Sequence, residues 1–149
     1  MSEKEPLQIE FPVDADFIPA VRKFVAESSL IEGFTPKFSY RTEIIVDELC
    51  NNAVKFGPTQ PNNAIKIHCD FEPETLQLTV QDPGGNPKDV QNLRKAITME
   101  QDRQHFMGHG LEIVRMLTSG MEMTQTPSGE TIIRVVKRRS HNLIDALVE

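Results

Sequence analysis

At 149 residues the chain is long enough to bury roughly 70% of its extended surface as one domain, residues 1–149, without metal or disulfide support. Its 38% hydrophobic and 26% charged residues suit a soluble globular protein, and no apolar run approaches the ~20 residues that span a bilayer, so no membrane contact is expected. A net charge of −6 argues against direct nucleic-acid binding, which needs a concentrated basic surface, and the charged start Met1-Ser2-Glu3-Lys4-Glu5-Pro6 lacks a secretory pattern, so a cytoplasmic location is expected.

Leu7, Ile9 and Phe11 alternate with polar residues up to Pro12 and predict a half-buried strand. From Asp16 to about Glu27, Phe17, Val21, Phe24 and Val25 recur at helical spacing, with Asp14 or Asp16 as N-cap. The longest helix is predicted over Phe38 to Phe56, closed by Gly57. Ala64 to Glu72 and Thr75 to Gln81 alternate about Pro73-Glu74 as a hairpin. Residues 83 to 109 carry a weak helical pattern (Val90, Leu93, Ile97) and then a polar, irregular run from Thr98 to Gly108 that is expected to move. After Gly110 a helix is predicted through Leu111, Ile113, Val114, Met116 and Leu117 to Gly120, followed by a second hairpin, Met121 to Gln125 and Thr131 to Val136, about Pro127-Ser128-Gly129. Leu143, Ile144, Leu147 and Val148 suit a short amphipathic helix docked on the core.

Strands in neighbouring pairs, with helices between the pairs, predict a two-layer α/β sandwich. Its sheet is mixed, mainly antiparallel, with helices covering one face, and it is not doubly wound. Cys50 and Cys69 lack metal-ligand spacing and are expected to be buried thiols. The basic cluster Lys137-Arg138-Arg139 is expected to be a solvated strand end.

Three blocks carry chemistry. Glu48 and Asn52 lie one helical turn apart on one face, and Asn52 falls just inside the apolar stripe of Ile45, Leu49, Ala53 and Phe56. An amide there needs partners; a magnesium ion with phosphate oxygens would supply them, and so would a neighbouring backbone group. Asp82-Pro83-Gly84-Gly85-Asn86 ends a strand, where it fits either a plain turn or a carboxylate presented to an amino group. Gly108-His109-Gly110-Leu111 opens a helix, and backbone N–H groups at such a start can cradle an anion. It matches neither a P-loop nor a dinucleotide fingerprint.

In this order, and with Gly129-Glu130-Thr131 following, the blocks resemble the Bergerat-type ATP-binding fold of gyrase, MutL and histidine kinases. The stretches DELCNNAVKFG, GHGLEIVRML and GETIIRVVK are most similar to the RsbW-like anti-sigma-factor serine kinases. The resemblance implies ATP and Mg2+ as cofactors, Glu48 as general base and Asn52 as magnesium ligand. It implies Asp82 as acceptor from the adenine amino group, with Thr131 in support and Gly84 giving the base room. Gly108 and Gly110, in the segment that includes His109 and Leu111, would hold the phosphates at a lid formed by residues 98 to 109, with Arg94, Lys95 or Arg103 neutralising charge.

The function so implied is a protein serine/threonine kinase that acts as an anti-sigma factor in a partner switch. Its partners are a sigma factor and an anti-anti-sigma antagonist that it phosphorylates, and it is expected to be a homodimer. The scattered histidines His68, His105, His109 and His141 do not suit autophosphorylation on histidine. One position departs from the family: Asn86 stands where a second glycine is usual. That departure motivates a second reading, a binding module that has lost catalysis and sequesters a partner.

Overall fold

The computed structural model describes residues 5–56, 63–84 and 109–139. The predicted weak helix, the irregular run with Gly108, the position of Asn86, the basic residues 94, 95 and 103 and the apolar tail lie outside the described residues, as do the side chains of Phe56 and His109.

Five strands form one sheet: β1 (Leu7–Pro12), β2 (Ala64–Phe71), β3 (Thr75–Asp82), β4 (Gly120–Gln125) and β5 (Thr131–Arg138). Their order is β1-β2-β3-β5-β4, and each of these pairings is antiparallel. Alternation sends Ile65, Ile67 and Cys69 of β2, Leu76, Leu78 and Val80 of β3, and Ile133 and Val135 of β5 to one buried face. Gln8, Glu10, Lys66 and His68 point to the opposite, exposed face. The helices α1 (Ile18–Ile31), α2 (Pro36–Phe56) and α3 (His109–Leu117) supply the rest of the core, through Val25, Ile45, Val46, Leu49, Leu111 and Val114. The expected two-layer α/β sandwich is the observed fold.

Element ends differ from the predicted ones for local reasons. A 3-10 turn, Ala15–Phe17, precedes α1, and Asp14 is its cap, accepting from the Asp16 N–H at 2.9 Å. The helix runs four residues past Glu27 because the Ser28 and Ser29 hydroxyls donate back to the Phe24 and Ala26 carbonyls at 2.7 and 2.6 Å, which satisfies them inside the helix. α2 starts at Pro36, whose fixed φ suits the first helical position, and the Phe38 N–H donates to Thr35 Oγ1 at 3.1 Å.

The basic cluster is a correction. Lys137 is only 6% exposed; its Nζ donates to the Leu117 carbonyl at 3.1 Å and lies 4.9 Å from the Phe38 ring centre. The β5 period places it inward, where its long stem packs and its ammonium closes the C-terminal end of α3. Arg139 bonds the Gly33 carbonyl and stacks on Phe34, leaving Arg138 as the solvent-facing member. Cys50 and Cys69 are buried free thiols, and burial pushes both up to about 12.

Candidate nucleotide site

The inward face of the sheet turns polar at one end. Two residues beyond Val80, the β3 period puts Asp82 where an apolar residue would otherwise sit, and two residues before Ile133 it does the same for Thr131. They face each other as the last rung of the β3–β5 ladder and are 5% and 1% exposed. The Gly84 N–H donates to Asp82 Oδ1 at 2.7 Å, and the second carboxylate oxygen accepts no hydrogen bond from a described residue. Burial raises the Asp82 carboxyl from 3.8 to about 6, and the Gly84 N–H opposes part of that rise.

On α2, Asn52 is 9% exposed and faces inward, while Glu48, one turn earlier, is half-buried. Burial, with a smaller contribution from the Asp47 charge, raises the Glu48 carboxyl above its ordinary value. Asp47 itself is drawn the other way, toward Arg22 of α1 at 2.6 Å. Asn52 Nδ2 and Thr131 Oγ1 are the two buried side-chain polar atoms without a hydrogen-bond partner among the described residues. An unmet buried donor costs about 1–3 kcal/mol, so these two atoms are the candidates for contact with a ligand.

The third block meets the first. A Cβ at Gly110, in the first turn of α3, would meet the Glu48 carboxylate, so the start of α3 lies against the end of that side chain. Leu111 is 3% exposed and belongs to the core, so its side chain anchors α3. At Gly84, φ is +86° and the absent Cβ leaves room for the Gly129 carbonyl. The glycine thus admits the β4–β5 turn as a close neighbour. The described predicted residues therefore fall into two groups on the helix-facing layer: Glu48, Asn52 and Gly110 where α2 meets α3, and Asp82, Gly84 and Thr131 at the end of β3 and β5.

A further tie lies outside the motif positions. Gln81 Nε2 donates to Glu130 Oε2 at 2.6 Å, joining the neighbours of Asp82 and Thr131 on the other face of the sheet. Strand alternation gives Gln81 only an outward place, and Glu130 is legible only as the middle of Gly129-Glu130-Thr131.

The donor set suits a purine nucleotide with its cation. Asp82 offers an acceptor beside an unpartnered hydroxyl, Asn52 offers an amide with an unmet group, and a helix start lies against a carboxylate. An anti-sigma F factor from Oceanobacillus iheyensis is 24% identical over 119 residues, which are 78% of this chain and 82% of that protein. One from Pasteuria penetrans is 21% identical over 118 residues, 76% and 79% of the two chains. The structure of the RsbU and RsbW domains of a Mycobacterium tuberculosis protein superposes with a TM-score of 0.67 at 17% identity; the match covers 93% of this chain and 34% of that longer one. Residues 11–137 match the histidine kinase-like ATPase domain, and the chain belongs to that family.

Proposed function

We propose that the protein is a cytoplasmic Mg-ATP-dependent serine/threonine kinase that acts as an anti-sigma factor, with residues 1–149 working as one domain in a homodimer. The observation that carries this reading is the pair of orphaned buried groups, Asn52 Nδ2 and Thr131 Oγ1, at two of the positions where the motif order calls for ligand contacts. The names of the two bacterial relatives, both anti-sigma F factors, support a sigma factor as partner. An antagonist protein is the proposed phosphate acceptor.

In this reading Asp82 accepts from the adenine amino group through its second carboxylate oxygen while Thr131 fills the hydrogen-bonding role beside it. Asn52 would hold the magnesium ion through Oδ1, the ion supplying charge neutralisation on the phosphates, while its unmet Nδ2 would donate to a phosphate oxygen. The N–H groups at the start of α3, at His109, Gly110 and Leu111, cradle the phosphate chain, with Gly108 as a further proposed contact. Glu48 accepts the proton of the attacking serine hydroxyl. As the serine oxygen bonds to the γ-phosphorus, the bond from that phosphorus to the β–γ bridging oxygen breaks and ADP leaves with the electron pair. The raised proton affinity of Glu48 suits a base that must take this proton.

The test is transfer of label from γ-labelled ATP to an antagonist serine by purified protein with magnesium. Transfer is expected for the native chain and is expected to disappear in Glu48→Ala with nucleotide binding retained. Absence of ATP binding at millimolar nucleotide would overturn the enzyme reading, and tight partner binding indifferent to nucleotide would favour the sequestering module.

A further inference from the structure

Around the Asp82–Thr131 rung a chain of hydrogen bonds on the other side of the sheet, together with the close approach of the Gly129 carbonyl to Gly84, links β3 to the turn before β5. Glu130 is its hub. One carboxylate oxygen takes the Gln81 amide at 2.6 Å; the other takes Ser128 Oγ at 3.0 Å and Thr126 Oγ1 at 3.4 Å. The Glu130 N–H donates to Thr126 Oγ1 at 3.0 Å, and the turn is closed by Thr126 N–H to the Glu130 carbonyl at 2.8 Å and Gly129 N–H to the Thr126 carbonyl at 2.9 Å. That turn places the Gly129 carbonyl against Gly84, and Gly84 holds Asp82 Oδ1. The Gln81, Ser128 and Thr126 side-chain bonds end on the charged carboxylate, the stronger class of acceptor.

The geometry points to Gln81 and Glu130 as positioning residues: from the solvent side they fix the spacing of the Asp82 and Thr131 side chains and so set base selectivity without touching the nucleotide. This rests on the nucleotide reading of the site. The pleat explains the division of labour. Asp82 and Thr131 point inward; Gln81, one residue earlier on β3, and Glu130, one residue before β5 begins, point outward, so one outer bond clamps both inner groups. Gln81, Ser128 and Thr126 together hold the Glu130 carboxyl below its ordinary value, so the clamp stays charged over the range in which Asp82 titrates. A rung at the sheet end has no further strand residues beyond Asp82 to hold it in register, so a side-chain tie is effective there.

Titration calorimetry of the full chain with Mg-ATP, Mg-GTP and Mg-tripolyphosphate tests this, with Glu130→Ala, Gln81→Leu and the conservative Glu130→Gln, each checked for its folded circular dichroism spectrum. Expected are about tenfold weaker ATP binding in Glu130→Ala and Gln81→Leu, a narrowed ATP-to-GTP ratio, unchanged tripolyphosphate binding and partial rescue in Glu130→Gln, which keeps one acceptor. The double variant is expected to be no worse than either single one, because both break the same tie. Equal ATP affinity and an unchanged base ratio in the folded single variants overturn the clamp while leaving the kinase reading intact. A parallel loss of ATP and tripolyphosphate binding also overturns it, since that marks a general structural defect. Failure of the native chain to bind ATP removes the nucleotide reading and the clamp with it.

Discussion

Asp82 is the residue whose chemistry is most constrained by its surroundings. Its carboxyl titrates near 6 in the folded protein and near 3.8 without burial, so between these values the folded state holds the extra proton. Stability conferred by that proton is present below pH 4 and is lost as pH rises through about 6, on the order of 2 kcal/mol. Asp82→Asn is therefore expected to be more stable than the native chain at pH 7, with a flatter dependence between pH 4 and 6, as urea unfolding across that range will show. ATP affinity of the native protein should fall as pH drops through 6, because the amino group needs the ionised acceptor. The two site glycines make a contrast at the same scale. Gly84→Ala sets a Cβ against the Gly129 backbone at a left-handed φ, and is expected to cost about 2–3 kcal/mol by thermal unfolding. Gly110→Ala meets only the mobile end of Glu48, whose carboxylate can swing aside; its stability should change by less than about 1 kcal/mol. Phosphoryl transfer should nonetheless fall by about tenfold or more, because Glu48 is displaced.

At the scale of elements, α2 does two jobs along its 21 residues. Its first turns pack Phe38 against Phe34, ring centres 4.1 Å apart, and its later turns carry Glu48 and Asn52. Thr35→Ala removes the side-chain cap at its start and is expected to lower stability by about 1 kcal/mol in denaturant unfolding while ATP affinity stays the same, since the site lies more than three turns away. The α2 stripe was legible from helical spacing, and so was the odd placement of Asn52 on its inner border. The extra turn of α1 was not, because Ser28 and Ser29 read as polar letters until their hydroxyls are seen bonded to the helix itself. Lys137 was hidden in the same way: the β5 period continues through it, and only the Leu117 carbonyl and the Phe38 ring explain why a lysine lies inside.

For the molecule as a whole, the unmet polar groups on the inner layer cost stability that a ligand bound there would return. Asn52→Leu replaces an amide with an unmet group by an apolar side chain of similar size and is expected to raise apo stability by about 1 kcal/mol. It should also abolish the stabilisation that saturating Mg-ATP gives the native chain, about 2.7 kcal/mol at a hundredfold excess over Kd. Differential scanning calorimetry with and without Mg-ATP measures both.

The order of the blocks, the two hairpins and the helix-facing pattern were determined by the sequence alone, because side-chain periods of two and about 3.6, like the turns that join neighbouring strands, are local and need no knowledge of distant neighbours. Tertiary structure decided what those patterns leave open. It brought Gly110 onto Glu48 and the Gly129 carbonyl onto Gly84, it made Asp82 and Thr131 rung partners, and it tied Gln81 to Glu130 across 49 positions of chain. Such contacts depend on register and on the close approach of separate elements, which set distances between residues far apart in the chain, and no local period encodes them.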